Sequence, residues 1–576
     1  MADDDKFRIR PGRIRSTRAQ RARPFVAQAL AAANRAGGDI ARAGRVAAAN
    51  RSRFGRGQRA SIQANRFVNA RTRSVIIKAR VVRHMARHAA LGMHLGYLRR
   101  EGVTRDGEKA RMFGPGEASD AFAERCGQDR HHFRFIVSPH DALELADLRS
   151  FTHDLVAQME GDLGTRLDWV AVDHWNTEHP HVHLIVRGVR DDGSDLVISR
   201  DYIKQGMRDR AGDLITQELG PRSDLEIHRT LALQIKAERW TELDRQLVRD
   251  AGKSGIVDLA PRADRQPDTF HALKVGRLRS LEIFGVARQI GGSQWFIEPE
   301  AETVMRQLGE RGDIIKRLHR ALSERGIERA MTDYVLAGEA LAAPVIGRLL
   351  GRGLDDELNG TAYALVDGLD ARAHHIRVND LEATGDSPPG SIVELRAYAD
   401  AKGQRRSALA VRSDLDLAAQ IVAPGATWLD RQAIAREPAD LSAAGFGAEV
   451  NDALQQRAAH LAGQGLAERR GGRILFADRL IETLRRRELD EVGARLAAET
   501  GRAFHHTATG ESVSGTYRRR LNLASGRFAM LDDGFGFQLV PWSPSLEKQL
   551  ARHVSGIARP DGGVDWSFGR KRGLGL

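Results

Sequence analysis

One stretch of the chain places histidines on alternate positions and then runs into β-branched apolar residues: DHWNTEHPHVHLIV, residues 173–186. Alternate side chains of a β-strand point to the same face, so His181 and His183 project together, about 7 Å apart. The apolar residues that alternate with them point to the other face, where they can enter a core. The segment therefore predicts a strand with one histidine face and one buried apolar face.

These histidines are candidate metal ligands. Two imidazoles at this spacing can share an ion if a third ligand comes from a neighbouring element, and His174 ends the preceding predicted strand. Neutral imidazole suits Mn, Zn, Fe, Co or Ni, and three ligands leave positions open, as in a catalytic site. His179 lies one step further out in the turn. The alternative is that all four are structural histidines of a hairpin.

The length and the cysteine usage set wide bounds. The 576 residues are enough for three or four domains of about 150 residues each. Cys126 is the single cysteine, so an internal disulfide and a thiolate metal cage are excluded and a reducing cytoplasm is expected. An apolar run of about 18 residues is missing, as is the apolar stretch of a secretory signal, so we expect no membrane insertion.

The positive charge is concentrated at the N-terminus. The net charge is +13, and residues 1–80 alone contain 20 Lys or Arg against 4 Asp. Such an arm favours a polyanion, because binding releases counterions. The alternatives are a solvated tail or an arm on a membrane surface, but the arm is poor in the bulky anchors that membrane binding needs.

The order of predicted elements indicates the fold class. Strands at 74–84 and 131–139, a helix after each, and a hairpin at 168–189 suggest an α+β domain on an antiparallel sheet. We predict six regions along the chain. They are a basic flexible arm (1–73), this α+β domain (74–235), a helical, winged-helix-like unit (236–330), a small β-rich domain (331–425), a second winged-helix-like unit (426–500) and a β-rich segment with a basic tail (501–576).

The two winged-helix-like units rest on an internal repeat. The segments 277–296 and 457–476 align without a gap, with seven of twenty positions identical. Each copy predicts a helix, a Gly stop, a strand, a Gly-Gly turn and a second strand. In a winged helix the helix can enter a DNA groove and the hairpin can touch phosphates. The alternative is a purely structural helix-hairpin.

Two of the six tyrosines fall inside the α+β domain. Tyr97 lies in HLGYLRREGVTRDG, close to Arg99, Arg100 and Arg105, and a tyrosine among arginines at a helix end can meet a phosphate. An open tri-histidine site in a basic chain would act on a phosphodiester, whose added transition-state charge an ion can stabilise. An aromatic residue on an amphipathic helix is more often part of a core. Tyr202, in SRDYIKQG, is the second candidate.

Two motifs resemble those of a known family. HWNTEHPHVHLIV resembles the third motif of conjugative relaxases, members of the HUH endonucleases, and YLRREGVTRDGEKARMF resembles their first motif. The tyrosine precedes the histidines, as in relaxases, whereas it generally follows them in rolling-circle replication initiators and HUH transposases. The nearest resemblance is to VirD-type relaxases, or mobilization nucleases, with a long and poorly characterised C-terminal region.

The resemblance implies a fold and a set of roles. The fold would be an HUH-type antiparallel sheet with flanking helices, followed by the winged-helix-like and small β-rich domains. Tyr97 would be the nucleophile, and a divalent ion, Mn or Mg, would be held by the histidines. The residues assigned to the ion are His174, His181 and His183, and those assigned to DNA contacts are Arg99, Arg100 and Arg105.

Two further residues would orient the histidine ligands rather than bind the ion. Asn176 occupies the position at which many relaxases carry an acid that orients a metal-binding histidine. An amide can accept a hydrogen bond but carries no charge, which affects the affinity for the ion. Glu178 is expected to replace that acid in part.

The function implied is strand-specific nicking at a transfer origin, with a 5′-phosphotyrosine link between protein and DNA. The partners implied are single-stranded and duplex DNA, relaxosome accessory proteins and the coupling protein of a type IV secretion system. A replication initiator or transposase of the same fold is the enzymatic alternative. A DNA-binding regulator with structural histidines is the alternative without catalysis.

Overall fold

A computed structural model describes most of the chain. The described residues are 72–83, 89–99, 104, 108–115, 121–175, 179–260, 270–336, 344–399, 403, 405–471, 473–508, 510–559 and 563–567. All but two residues of the predicted basic arm, and the basic tail, lie outside these ranges. The chain divides into two compact units, residues 1–304 and 305–576. None of the helices in the described ranges combines the length and the apolar character needed to cross a bilayer.

The first unit begins with alternating strands and helices. Its elements up to Leu219 are β1 (Val75–Arg83), α1 (Ala89–Leu98), α2 (Phe122–Arg125), β2 (His131–Pro139), α3 (Leu148–Leu163), β3 (Trp169–His174), β4 (His181–Arg187) and α4 (Met207–Leu219). The four strands form an antiparallel sheet in the order β1-β2-β4-β3. The predicted α+β class, with an antiparallel sheet and flanking helices, is confirmed.

The two faces of this sheet have different cores. One face carries the apolar residues of the alternating pattern, such as Phe135 and Leu184, and packs against α3 and α4. On the other face, α1 covers β3 and β4 through a smaller core that includes Leu95, Val172 and Ile185. The histidines of β4 lie on this second face, because they alternate with the residues of the large core.

Local signals in the sequence determine where α3 begins and ends. This helix packs against the sheet in the large core. The Asp147 carboxylate accepts hydrogen bonds from the backbone N–H groups of Arg149 and Ser150, at 3.0 and 3.1 Å, and so caps the helix. The helix ends at Gly164, whose φ of 65° is the left-handed conformation that glycine adopts without steric cost.

The remainder of the first unit is a group of helices with a small sheet. Its elements are α5 (Asp224–Gln234), α6 (Glu242–Ala251), β5 (Ile256–Asp258), α7 (His271–Ile283), β6 (Ala287–Gly291), β7 (Gln294–Ile297) and the start of α8 (Ala301–Ser323). The three strands pair in the order β5-β7-β6. A helix, a strand, a helix and a hairpin thus follow one another, and the winged-helix identity of this group stays a prediction.

The second unit contains two six-stranded sheets and a helix-hairpin group between them. The first sheet is built from β8 (Tyr334–Val335), β9 (Ile346–Asp356), β10 (Thr361–Gly368), β11 (Ala373–Val378), β12 (Ile392–Ala399) and β13 (Arg405–Ser413). The group between the sheets consists of α9 (Leu417–Val422), α10 (Trp428–Ala433), α11 (Gly445–Gly463), β14 (Ala467–Arg470), β15 (Arg473–Phe476) and α12 (Leu480–Thr500). The second sheet is built from β16 (Ala503–His505), β17 (Ser512–Leu523), β18 (Gly526–Asp532), β19 (Gly536–Pro541), β20 (His553–Ala558) and β21 (Val564–Ser567).

The two six-stranded sheets have the same topology. Their strand orders are β8-β11-β10-β9-β12-β13 and β16-β19-β18-β17-β20-β21. In each sheet, the strand that comes first in the chain pairs parallel with the strand that comes fourth, so β8 pairs with β11 and β16 pairs with β19. All other pairs are antiparallel. Residues of the preceding long helix, α8 or α12, join the core on one face of the sheet. The repeat therefore extends well beyond the twenty aligned residues.

A buried arginine marks the helix-hairpin group of both copies. Arg277 is bonded to Asp244 at 2.7 and 2.9 Å, and Arg457 to Asp430 at 2.8 and 2.9 Å. Both pairs are almost fully buried. Each guanidinium also donates to three main-chain carbonyls of the segment that precedes α6 in the first copy and α10 in the second. These carbonyls belong to Ile235, Ala237 and Arg239 in the first copy, and to Ile421, Ala423 and Gly425 in the second. The whole region from α5 onward is therefore a tandem duplication of one helix-hairpin, helix and sheet module.

Candidate active site

Three histidine rings converge at the end of the β3–β4 hairpin. His174 lies directly opposite His181 in the strand register, and His183 is two residues further along on the same face. The ring centroids are 4.5 Å apart for His174 and His183, 4.9 Å for His181 and His183, and 5.4 Å for His174 and His181. One nitrogen from each ring lies within 4.8 Å of the others. The register thus brings together the three residues that the sequence predicts as metal ligands.

Backbone carbonyls hold two of these rings. His174 Nε2 is 2.8 Å from the Leu98 carbonyl, and His181 Nδ1 is 3.0 Å from the His179 carbonyl. A carbonyl oxygen can only accept, so in a neutral ring these nitrogens carry the hydrogen and the lone pair lies on the other nitrogen. Histidines that bind metals commonly donate their second N–H in this way.

The donor set fits a divalent ion. The Nε2 atoms of His181 and His183 are 3.1 Å apart, a separation that two ligands on one ion adopt at metal–nitrogen distances of about 2.1 Å. All three rings are less than a tenth exposed, so an ion between them would be largely shielded from water. The three rings therefore supply the ligands for a tri-imidazole centre.

Cationic side chains lie on the histidine face beyond the rings. Lys78 on β1 and Ile136 on β2 lie in the same cross-strand row as His183, and Arg80 and Arg134 face each other in the next row. Lys78 is exposed, while the two arginines are partly buried. Burial, reinforced by Arg80, lowers the pKa of Arg134 to about 10. Two arginines in direct opposition repel each other, and a bound anion would relieve that repulsion.

These cationic rows were missed in the sequence. The signal was present, because KxR alternates in β1 as HxH does in β4. Only the strand register shows that Lys78 and Arg80 share a face with the histidines, since β1 is separated from β4 by about a hundred residues of sequence and by β2 in the sheet.

Tyr97 lies in the last turn of α1, one residue before the carbonyl that holds His174. Its side chain is half-buried and packs at the edge of the small core beneath α1. Arg99 follows the helix, with its backbone N–H bonded to the Leu95 carbonyl at 3.2 Å. The hydrogen bond from His174 to Leu98 therefore joins the tyrosine helix directly to the histidine cluster.

Four predicted site residues cannot be placed. The proposed DNA contacts Arg100 and Arg105, and the proposed supporting residues Asn176 and Glu178, lie outside the described residues. His179 is described, and its carbonyl orients His181, so its backbone serves the site.

Tyr202 is placed in the core rather than in the site. It is fully buried, and its hydroxyl donates to the Asp162 carboxylate at 3.0 Å. Burial, together with Asp162, raises the pKa of the phenol. A buried phenol that is bonded to a carboxylate is a poor nucleophile for a DNA strand, so Tyr202 is not a second candidate.

A further carboxylate fixes the end of β3. Asp173 accepts from Arg149 Nε at 3.1 Å and from Trp175 Nε1 at 2.7 Å. It thereby ties helix α3 to the residues on both sides of His174. Sequence reasoning missed this contact, although Asp173 stands beside the histidine in the quoted motif.

Two known protein families match parts of the chain. A family profile described as "Relaxase: MobA/VirD2-like, nuclease domain" matches residues 104–218, which contain all three histidines but not Tyr97. A second profile, "Protein of unknown function (DUF3363)", matches residues 274–407 and 395–575. The chain belongs to the relaxases that carry this C-terminal region. Searches of curated proteins and of solved structures found no match.

The relaxase domain supports a nicking function and implies that the protein binds DNA. The histidine cluster lies within the matched residues, so it belongs to the nuclease domain of this relaxase. The duplicated modules together account for the part of the relaxase whose family is of unknown function.

Proposed function

We propose that this relaxase nicks one DNA strand at a transfer origin by transesterification on Tyr97. The phenolic oxygen loses its proton to solvent and attacks the scissile phosphorus, the bond from phosphorus to the 3′ oxygen breaks, and the departing 3′ oxygen takes up a proton from solvent. The products are a free 3′-OH and a 5′-phosphotyrosine link. The reverse reaction rejoins the strand after conjugative transfer or mobilization.

The three histidines would hold the divalent ion, Mn or Mg. When bound, the ion supplies positive charge to the phosphate oxygens as negative charge develops in the transition state. The carbonyls of Leu98 and His179 would keep the imidazoles in one tautomer and one orientation. The part of this chain in the step is therefore to position the ion beside the end of the tyrosine helix.

The observation that carries this proposal is the 2.8 Å hydrogen bond between His174 and the Leu98 carbonyl. It joins the turn that carries Tyr97 to one of the three converging rings. A set of structural histidines would not require such a bond to lie next to a tyrosine. Tyr97 lies outside the residues that the relaxase profile matches, so its role rests on this geometry and on the sequence motif.

The single-stranded substrate would lie across the open β1–β2 half of the histidine face. Lys78, Arg80 and Arg134 would contact phosphates, which position the strand without reading its sequence. The apolar side chain of Ile76, which is 46% exposed, lies on the same face and would support bases. Arg99, with Arg100 and Arg105, would contact DNA near the tyrosine.

The test is a cleavage assay on a single-stranded oligonucleotide that carries the origin, with Mn or Mg and the full-length protein. With the label on the 3′ end, the fragment should migrate with the protein on a denaturing gel. With the label on the 5′ end, a free fragment ending in 3′-OH should appear. Tyr97→Phe should abolish both products, because phenylalanine has no nucleophilic oxygen.

Tyr398→Phe is the matched control, since Tyr398 is half exposed and lies on β12, outside the nuclease domain. It should cleave like the unmodified protein. A covalent adduct that survives Tyr97→Phe, or one that forms on the 5′-labelled fragment, would overturn the assignment. Within the cell, the proposal places the relaxase in the cytoplasm with accessory proteins and the coupling protein of a secretion channel.

A further inference from the structure

The second hairpin of the duplicated module carries three exposed arginines. Arg469 and Arg470 end β14, and Arg473 begins β15 after the turn that starts with Gly471. Gly471 has a φ of 54°, as tight hairpin turns require. We call the segment 467–476 the second wing and its counterpart, 287–297, the first wing.

The second wing places like charges face to face. Arg470 and Arg473 are directly opposite each other in the strand register. Like charges at this position destabilise a hairpin. Arg470 contacts Glu468 at 2.9 Å, but both side chains are about two-thirds exposed, and such a pair contributes little. Among the described residues, Arg469 and Arg473 have no acidic partner. A polyanion would offset this repulsion.

The arginine cluster of the second six-stranded sheet, in contrast to the wing, is neutralised. Arg518, Arg519 and Arg520 on β17 are paired with Asp532, Glu499 and Asp386, respectively. Arg527 contacts both Asp386 and Asp414. The arginine run of the second sheet therefore holds the fold together, whereas the arginines of the wing point to a ligand.

The first wing is the internal comparison. At the aligned positions it has Gln289, Ile290 and Ser293 in place of the three arginines. Ile290 is 45% exposed, and Ile283 at the end of α7 is 83% exposed. Its single cation, Arg288, stands near Glu298 at 3.5 Å. The aligned residues thus form an uncharged tip in one copy and a cationic tip in the other, although the buried arginine is retained in both.

We propose that the second wing is a binding site for the phosphate backbone of duplex DNA and that the first wing is not. A two-stranded hairpin tip fits against the backbone beside a groove, and guanidinium groups bind phosphate with two parallel hydrogen bonds. Contacts of this kind hold a protein on the duplex without sequence preference. The site lies in the region of unknown function and shares no residue with the nicking centre.

The experiment measures binding of the full-length protein to a labelled duplex that lacks the origin, over a range of NaCl concentrations. The variant R469Q/R470I/R473S gives the second wing the residues of the first. Removing one arginine from a phosphate should reduce the slope of log Kd against log salt by roughly one. We therefore expect the slope to fall by about two to three, and the affinity at moderate salt to fall roughly tenfold or more.

The matched control is Q289A/I290A/S293A in the first wing, which should leave both the slope and the affinity unchanged. The exchanged side chains are exposed except that of Ser293, which is partly buried, and an unchanged melting temperature verifies that each variant is folded. An unchanged salt slope in the arginine variant would overturn the proposal. The proposal also fails if that variant no longer binds an acidic polypeptide such as polyglutamate but keeps its affinity for duplex DNA.

Two measurements separate this proposal from the proposed nicking function. The arginine variant should cleave a single-stranded origin oligonucleotide like the unmodified protein. Tyr97→Phe should keep the full salt slope on duplex DNA. Loss of cleavage in Tyr97→Phe without loss of duplex binding supports the nicking mechanism and shows that duplex binding does not depend on Tyr97, and persistent cleavage contradicts only the nicking mechanism.

Discussion

At the scale of single residues, the histidine site depends on contacts that the sequence shows only in part. The alternation of His181 and His183 and the short turn after His174 predict that the three rings converge, and they do. The Leu98 carbonyl could not be predicted, because any residue at position 98 would supply the same oxygen. The same holds for the His179 carbonyl.

The metal site can be tested through His183. In the unmodified protein, Mn should raise the melting temperature of the nuclease domain, since an ion at 100 times its dissociation constant stabilises by about 2.7 kcal/mol. His183→Ala should remove most of this shift, because it deletes one of three ligands. The measurement is differential scanning fluorimetry with and without Mn.

His179→Ala is the control for that experiment, because it removes the exposed imidazole but keeps the carbonyl that holds His181. It should retain the Mn-dependent shift. A shift that persists in His183→Ala, or one that is lost in His179→Ala, would show that the ion is held by other ligands.

Asp209 on α4 provides a pH test. Burial raises its pKa to about 6, despite the nearby Arg210 and Arg208. In the part of the chain that the structure describes, one of its carboxylate oxygens is buried without a hydrogen-bond partner. The folded-state pKa lies above the unfolded value of about 3.9, so stability is favoured below about pH 4 and falls as pH rises through 6.

Asp209→Asn should therefore raise the melting temperature more at pH 8 than at pH 4.5. The amide removes the cost of a buried charge, which exists only when the carboxyl is ionised. The measurement is thermal unfolding of both proteins at the two pH values. Asp154→Asn, at an exposed position of α3, should show no such pH dependence.

At the scale of elements, the helix-hairpin groups depend on their buried arginines. Arg457 donates to Asp430 and to three carbonyls while almost completely buried. Arg457→Ala should destabilise the group by about 3–5 kcal/mol, because it leaves the Asp430 carboxylate buried and uncompensated. The measurement is hydrogen exchange of the α10 and α11 amides as a function of urea.

Arg470→Ala is the comparison for that prediction, since its ion pair with Glu468 is exposed and should be worth less than about 1 kcal/mol. Similar exchange rates in the two variants would contradict the prediction. The double variant Arg457→Met with Asp430→Leu should recover only the part of the loss that comes from the uncompensated carboxylate, because the three carbonyls still lack their donor and α10 loses its cap.

The sequence revealed the helix and hairpin of this repeat but not its full extent. Arg277 and Asp244 are 33 residues apart, whereas Arg457 and Asp430 are 27 apart. An alignment at constant offset therefore stops at the arginine, although Thr241 and Asp244 cap α6 as Thr427 and Asp430 cap α10. The sheets were missed as repeats because strand order leaves little trace in residue identity.

At the scale of the whole molecule, the chain is a nuclease domain followed by two copies of one module. The net charge of +13 does not show where polyanions bind, because many arginines are used within the fold. The ion pairs of β17 and the exposed arginines of the second wing look alike in the sequence. Only their partners in the structure distinguish a stabilising arginine from one that is available for DNA.

The buried guanidinium has a consequence for how the two modules can evolve. Arg277 and Arg457 donate hydrogen bonds to main-chain oxygens of the segment before α6 and α10, respectively. The backbone path of that segment is therefore fixed by the side chain of an arginine outside it. Main-chain oxygens are supplied by any residue, and the segment reads IKAER in one copy and IVAPG in the other. Two modules that are stabilised in this way can differ in sequence in this connecting segment, and can acquire different functions in their wings, while they keep the same fold.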